Sequence, residues 1–279
     1  MERWDKAGAA YEKALTYDRS LVAASYNLTR ALTEAGAYAR ALEVLERLRS
    51  DDPDNVRLIT LEAYVLYKSG DDKEALAAYR RAAELNPRDS GTLRNLALLL
   101  ERAGRDEEAR DILRELYTVA PADDAVLRRL ALLEARRALE ASSAGTISAA
   151  RDAESSQDSA RAAEDALAFL SAYLSRKPDD REVLRSRAEL RESRELFARA
   201  LEDWADLVKA DPSDGEAWFR LARLRLVVAG DREAGLDALR RAVEAKFSNA
   251  QAAAALLAAL PEAERAKPAE ILKAAGLDE

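Results

Sequence analysis

A 34-residue period governs this chain. Pro53, Pro87, Pro121, Pro178 and Pro212 are spaced by 34, 34, 57 and 34 residues. Ala41, Ala75, Ala109, Ala166 and Ala200 keep the same spacing, and Ala7 extends that column one step upstream. A column of large residues runs Tyr11, Leu45, Tyr79, Leu113, Leu170 and Trp204, and another holds Gly36, Gly70 and Gly104. The last, Asn55, Asp89, Asp123, Asp180 and Asp214, is acidic or amide. A short unit recurring at fixed spacing cannot bury its apolar face alone, so the units must stack and share one core.

The columns give the unit its shape. Apolar residues fall at helical spacing in two blocks on either side of the Gly, which permits a tight turn between antiparallel helices. The column Ala lets the two helices approach closely, and the Pro stops the second helix. The Asp or Asn two residues later can cap the next first helix through its side-chain oxygen. Composition agrees: with 10 Gly and 7 Pro among 279 residues, 48% apolar, 34% charged and only 6% aromatic residues, the chain is predicted to be nearly all helix.

A 34-residue helical hairpin with this punctuation resembles the tetratricopeptide repeat (TPR) family. The clearest unit, Val56 to Asp89, matches at Ala63, Gly70, Ala75, Tyr79, Ala82 and Pro87. The next, Ser90 to Asp123, matches at Leu93, Leu96, Ala97, Gly104, Ala109 and Pro121. The resemblance implies an all-α, right-handed α-solenoid of stacked hairpins. On it, residues 1–21 read as a second helix without its first, as in a piece of a longer protein. Residues 22–249 read as the array, with a helical insertion at about 142–164, and 250–279 as a capping helix and tail.

The resemblance also implies a non-catalytic protein-interaction scaffold whose first helices line a concave groove. The groove residues expected on those helices are Tyr26, Asn27, Arg30, Arg57, Tyr64, Tyr67, Arg94, Asn95, Arg128, Arg129, Phe219 and Arg220, with Thr33 and Leu61 on the same face. The stripe is basic inside an acidic protein, and Arg offers a planar fork for carboxylates, so an acidic peptide is its natural complement. Some family members clamp a chaperone's terminal carboxylate with Lys, Asn and Arg. Here Asn27 and Asn95 stand at one such place, but Arg57 replaces a Lys and Leu61 fills a place where Asn is needed.

Other functions have little support. With no His and no Cys, the chain lacks a His base, a Cys nucleophile and any Cys/His zinc site, and no cofactor is expected. Glu101 and Glu134 are the carboxylates nearest to an acid–base pair. The net charge of −8 argues against nucleic acid. The longest apolar run, Ala252 to Leu260, is too short to span a membrane, so a soluble protein is expected, cytoplasmic or, if a leader has been removed, periplasmic.

Three stretches depart from the pattern. The insertion reads as two over-long helices joined near Gly145, Thr146 and Ile147, an arm that could bind a partner. The repeat at 181–214 puts Arg187 and Arg191 at apolar positions and Glu195 at the turn Gly, which requires internal ion pairs or weakens the stacking. The cap helix, Ala250 to Leu260, is apolar around most of its circumference, with Pro268 starting a short turn beyond it. Self-association through the arm or this cap, giving a homo-oligomer, is the alternative function.

Overall fold

The computed structural model of the chain describes residues 2–18, 21–50, 52–145 and 153–277. Among the described residues there are fifteen α-helices, one π-turn and no strand. The contacts divide the chain into two compact units, Met1–Val126 and Leu127–Glu279.

Unit 1 begins with α1 (Glu2–Tyr17). Three hairpins follow: α2 (Val22–Glu34) with α3 (Tyr38–Arg49), α4 (Val56–Ser69) with α5 (Asp72–Leu85), and α6 (Ser90–Arg102) with α7 (Asp106–Val119). Each helix packs on the next in chain order, and α2 also meets α4. Ala41, Ala75 and Ala109 are wholly buried where the helices of a hairpin cross, beside the equally buried Leu45, Tyr79 and Leu113. Each large side chain of that column contributes roughly 2 kcal/mol of burial. The column predicted to cap does so: the side chains of Asn55, Asp89 and Asp123 accept from the amides of Arg57, Thr92 and Ala125 at 3.1, 2.8 and 2.9 Å. Gly70, at φ 94°, makes the left-handed turn that a Cβ would strain.

Unit 2 takes up α8 (Asp124–Gly145) from its first turn. It continues with α9 (Ala153–Leu174), α10 (Arg181–Ser193), α11 (Phe197–Ala210), α12 (Gly215–Arg223), the π-turn (Leu224–Ala229), α13 (Arg232–Glu244), α14 (Ala250–Ala259) and α15 (Glu262–Lys273). α8 and α9 have 22 residues each, against 12 to 14 in the hairpin helices of unit 1. Thr146 and Ile147, expected in the turn between them, lie outside the described residues. Asp180, Asp214 and Asn249 cap α10, α12 and α14.

The charged repeat keeps its packing through internal ion pairs. Asp203 on α11, 1% exposed, is bound by both Arg187 and Arg191 of α10, each at 2.7 Å. The Trp204 indole N–H donates to Glu192 at 2.5 Å. Glu195 takes φ 58° in place of the turn glycine. At the end of the chain the helix begins earlier than expected: α15 starts at Glu262, directly after Pro261, and Pro268, expected to start a short turn, lies buried inside it.

Candidate protein-interaction face

The fifth residue of each first helix has a common role. In unit 1, Tyr26 lies under the Arg57 guanidinium, 5.4 Å from its ring centroid, Thr60 meets Thr92 at 3.0 Å, and Arg94 pairs with Asp123 at 2.7 Å. In unit 2, Arg128 binds Asp180 at 2.7 Å and Glu182 at 2.6 Å, and Arg185 binds Asp214. Phe219 stacks on Phe247 with centroids 4.0 Å apart and rings 5° from parallel. In every case the side chain reaches toward the start of the next first helix, so it ties one hairpin to the following one. Arg94 holds the Asp123 carboxyl below the usual carboxylate range. Burial pushes Asp180 up, but Arg128, the Val183 amide and the Tyr173 hydroxyl together hold it down.

The face of α2, α4 and α6 in unit 1 carries what remains open. Tyr64 donates its hydroxyl to Glu34, and Lys68 stands 5.9 Å from the Tyr64 ring centroid and 3.7 Å from Glu34. Burial, then the hydrogen bond to Glu34, pushes the Tyr64 phenol up to about 12. Arg102 lies 5.3 Å from the Tyr67 ring centroid and 3.4 Å from Asp72. Three tyrosines are thus each covered by a cation, a contact worth about 0.5–1 kcal/mol at exposed sites. Arg30 and Arg57 are exposed and make no ion pair among the described residues. Asn27 is half-buried, and Asn95 faces the buried Tyr79 hydroxyl, whose pKa burial drives far above the usual phenol range.

Unit 2 holds two cavities, of about 650 and 430 Å³. One is lined by Trp218, Asp237, Arg240 and Arg241 among others, the other by Val243, Lys267 and Ile271 of α13 and α15. Among the described residues no three acidic side chains converge as a metal ion would need. No described helix is long and apolar enough to cross a membrane.

Comparison with known proteins agrees with this architecture. Family models for tetratricopeptide repeats match residues 1–63 and 191–250. A third, described as anaphase-promoting complex, cyclosome, subunit 3, matches 34–116. The chain belongs to the tetratricopeptide repeat family. No curated protein matches it. Among solved structures it is similar to YrrB, described as a TPR protein with an unusual peptide-binding site, at 15% identity and a TM-score of 0.57 over 76% of this chain and 96% of that one. MamA from Desulfovibrio magneticus RS-1 is similar at 14% identity and a TM-score of 0.51 over 70% of this chain and 96% of that one. The fold is thus the all-α TPR solenoid, and TPR arrays are protein-interaction scaffolds.

Within the TPR hairpins the expected groove residues separate into two sets. Tyr26, Arg30, Arg57, Tyr64 and Tyr67 gather on the α2–α4 face of unit 1. Arg94 and Arg128 stand on first helices as expected but are engaged by capping carboxylates, and Arg220 is bound to Glu216 at 2.9 Å. Arg129 is half-buried on α8. Phe219 must be corrected: it is 1% exposed, because its ring is stacked on Phe247, and it belongs to the core. Thr33 and Leu61 are buried too. Glu134 is wholly buried, so it offers no carboxylate to a substrate at the surface. Sequence reasoning missed Glu34, the partner of Tyr64 and Lys68. The available signal was its column, since Glu34 stands one 34-residue period before Lys68, but the contact with Tyr64 and Lys68 exists only once α2 and α4 pack.

Proposed function

We propose that the α2–α4–α6 face of unit 1 binds an acidic, extended polypeptide segment and so lets this TPR scaffold organise a protein complex. One observation carries the reading: among the described residues Arg30 and Arg57 have no carboxylate partner beside Tyr26 and Tyr64, whereas Arg94, Lys68 and Arg102 have theirs. A carboxylate delivered by a partner completes the pairing, and a charge-assisted hydrogen bond of this kind contributes about 1.5–3 kcal/mol. The tyrosines add rigid, amphipathic contact area at low entropic cost. The fold likeness to YrrB, which is described as having a peptide-binding site, supports the same use of the scaffold.

The test uses end-blocked, fluorescent peptides of about twelve residues, one set rich in Glu and Ser and a matched set rich in Lys and Ser. Anisotropy with the wild-type chain is expected to favour the Glu set and to weaken as salt is added. The Arg30→Glu/Arg57→Glu variant, with unchanged helicity, is expected to lose at least about tenfold in affinity, since two such contacts are removed. Equal binding of both sets, or full affinity in the variant, overturns the proposal. A second reading, self-association through the cap, rests on the exposed Ala254, Ala255, Ala258 and Ala259 of α14. A concentration-independent monomer in sedimentation equilibrium would remove it.

A further inference from the structure

The hairpin at 215–249 is one residue longer than its neighbours, and the structure places the extra residue in the π-turn. Counted from the first residue of each first helix, Gly36, Gly70, Gly104 and Glu195 share one position, while Gly230 comes one residue later. The turn-closing bonds report the same shift. Ala37 N–H donates to Leu32 O, Asp71 to Leu66, Arg105 to Leu100 and Leu196 to Arg191, each reaching back five residues. Asp231 N–H donates to Arg225 O, reaching back six. The insertion lies before the turn, and Leu224–Ala229 has π geometry.

A compensating residue stands across from it. With the shift counted, Gly235 occupies the column that holds Ala41, Ala75, Ala109 and Ala200 elsewhere. A Cβ on Gly235 would lie 2.6 Å from Leu226 Cγ and 2.7 Å from Leu226 Cδ2. The widened turn drives Leu226 into the space that the column alanine otherwise fills. Counted back from the turn glycine, Val227 and Val228 then fall in the columns of Thr33 and Glu34, Tyr67 and Lys68, and Glu101 and Arg102. Those columns supply Tyr67, Lys68 and Arg102 of the unit 1 face. In this hairpin they present two valines, 38% and 44% exposed. The arginines of this helix are engaged within the unit: Arg220 is bound to Glu216, Arg223 to Glu192, and Arg225 donates to the Ala234 carbonyl.

We propose that the π-turn, locked by the Leu226–Gly235 contact, makes Val227 and Val228 an apolar contact point on unit 2 for an uncharged aliphatic side chain of a bound polypeptide. The occupant follows from the rim: with its arginines already paired, a charged partner residue gains nothing there, whereas an apolar one loses water-exposed surface on both sides. The proposal rests on the reading that first-helix faces of this chain take polypeptide segments.

Two measurements test it, both on the full chain. The first is unfolding in urea. Gly235→Ala alone is expected to lower the midpoint clearly, and deletion of Val227 combined with Gly235→Ala to recover most of the loss by restoring an ordinary hairpin. If the deletion recovers none of it, the register assignment is wrong. The second is anisotropy with two end-blocked, uncharged Ser/Gly peptides that differ only by Leu or Ser at the centre. The wild-type chain should prefer the Leu peptide about fivefold, the worth of a partly buried Leu side chain. Val227→Ser/Val228→Ser, exposed substitutions that leave the lock intact, should abolish that preference while affinity for the Ser peptide stays unchanged. Equal affinities in the wild-type chain, or a preference that survives in the Ser variant, overturn the proposal. Failure of the unit 1 reading is distinct, because it removes the preference for Glu over Lys peptides. If no peptide of any set binds, both fall.

Discussion

A single position, the fifth of each first helix, joins successive hairpins by four chemistries: a tyrosine under a guanidinium, a pair of hydrogen-bonded threonines, an arginine on a capping aspartate, and a pair of stacked phenylalanines. The arginine version does two jobs with one acceptor, since Asp123 caps α8 and binds Arg94 together. Asp123→Ala removes both and is expected to cost about 1–2 kcal/mol, while Asp123→Asn keeps the cap and costs less, measured by urea unfolding at pH 7. The pH dependence has a definite sign. Arg94 depresses the folded pKa of Asp123, so the stabilisation is complete above the unfolded value near ~4 and is lost as pH falls through the folded one. The wild-type advantage over Asp123→Asn should therefore shrink on acidification, and a constant difference from pH 7 to pH 2 would show that the pair contributes nothing. The sequence places Arg94, Arg128 and Arg185 on the correct helix face, but it does not by itself separate a ligand-facing arginine from one that ties hairpins together. The distinguishing signal was present: the arginine column and the Asp column change together, to Phe219 and Asn249, in the last full hairpin. Reading it requires knowing that the fifth residue of one first helix meets the residues at the start of the next.

At the scale of the element, the hairpin α10–α11 shows how a charged helix remains part of a packed array. Arg187 and Arg191 replace apolar residues, and Asp203 on the facing helix accepts from both while 1% exposed. Burial pushes the Asp203 carboxyl up and the two guanidinium groups pull it down. Removing one member of such a group leaves uncompensated charge in a low-dielectric place, which costs about 3–5 kcal/mol, far more than the group contributes relative to apolar packing. Asp203→Ala is thus expected to destabilise unit 2 by about 3 kcal/mol or more, while Arg187→Leu/Arg191→Leu/Asp203→Leu is expected to be close to neutral or stabilising. A small loss in Asp203→Ala would mean that water reaches the arginines. The alternative that the sequence allowed, weakened stacking, is answered by this acceptor, which lies in the second helix and is invisible to a reading of α10 alone. The hairpin punctuation, by contrast, is local in sequence, and the caps, the glycine turns and the column alanines were all legible there. The π-turn was legible only as one surplus residue, since where a helix absorbs it depends on the space that Gly235 leaves.

For the whole molecule, the decisive property is that each hairpin meets mainly its neighbours in the chain, so stability is a sum of local terms and not a single global quantity. The division into Met1–Val126 and Leu127–Glu279 adds a consequence for function: the Tyr/Arg face and the Val227–Val228 contact point belong to different units. Damage to one should then leave the other working. Asp203→Ala provides the case, because its effect is large and confined to the core of unit 2. Amide exchange is expected to accelerate across α10 to α13 and to stay unchanged in α2, α4 and α6. In the same sample, preference for Glu-rich over Lys-rich peptides should persist, whereas the preference for Leu over Ser at the peptide centre should weaken as α12 frays. Uniform acceleration through both units would mean that the chain unfolds as one cooperative body, and a defect in unit 2 would then be felt at the Tyr26, Arg30 and Arg57 face. Local acceleration with intact charge preference would instead establish two separately stable recognition surfaces on one chain. That is what a scaffold needs in order to keep one partner while it releases another.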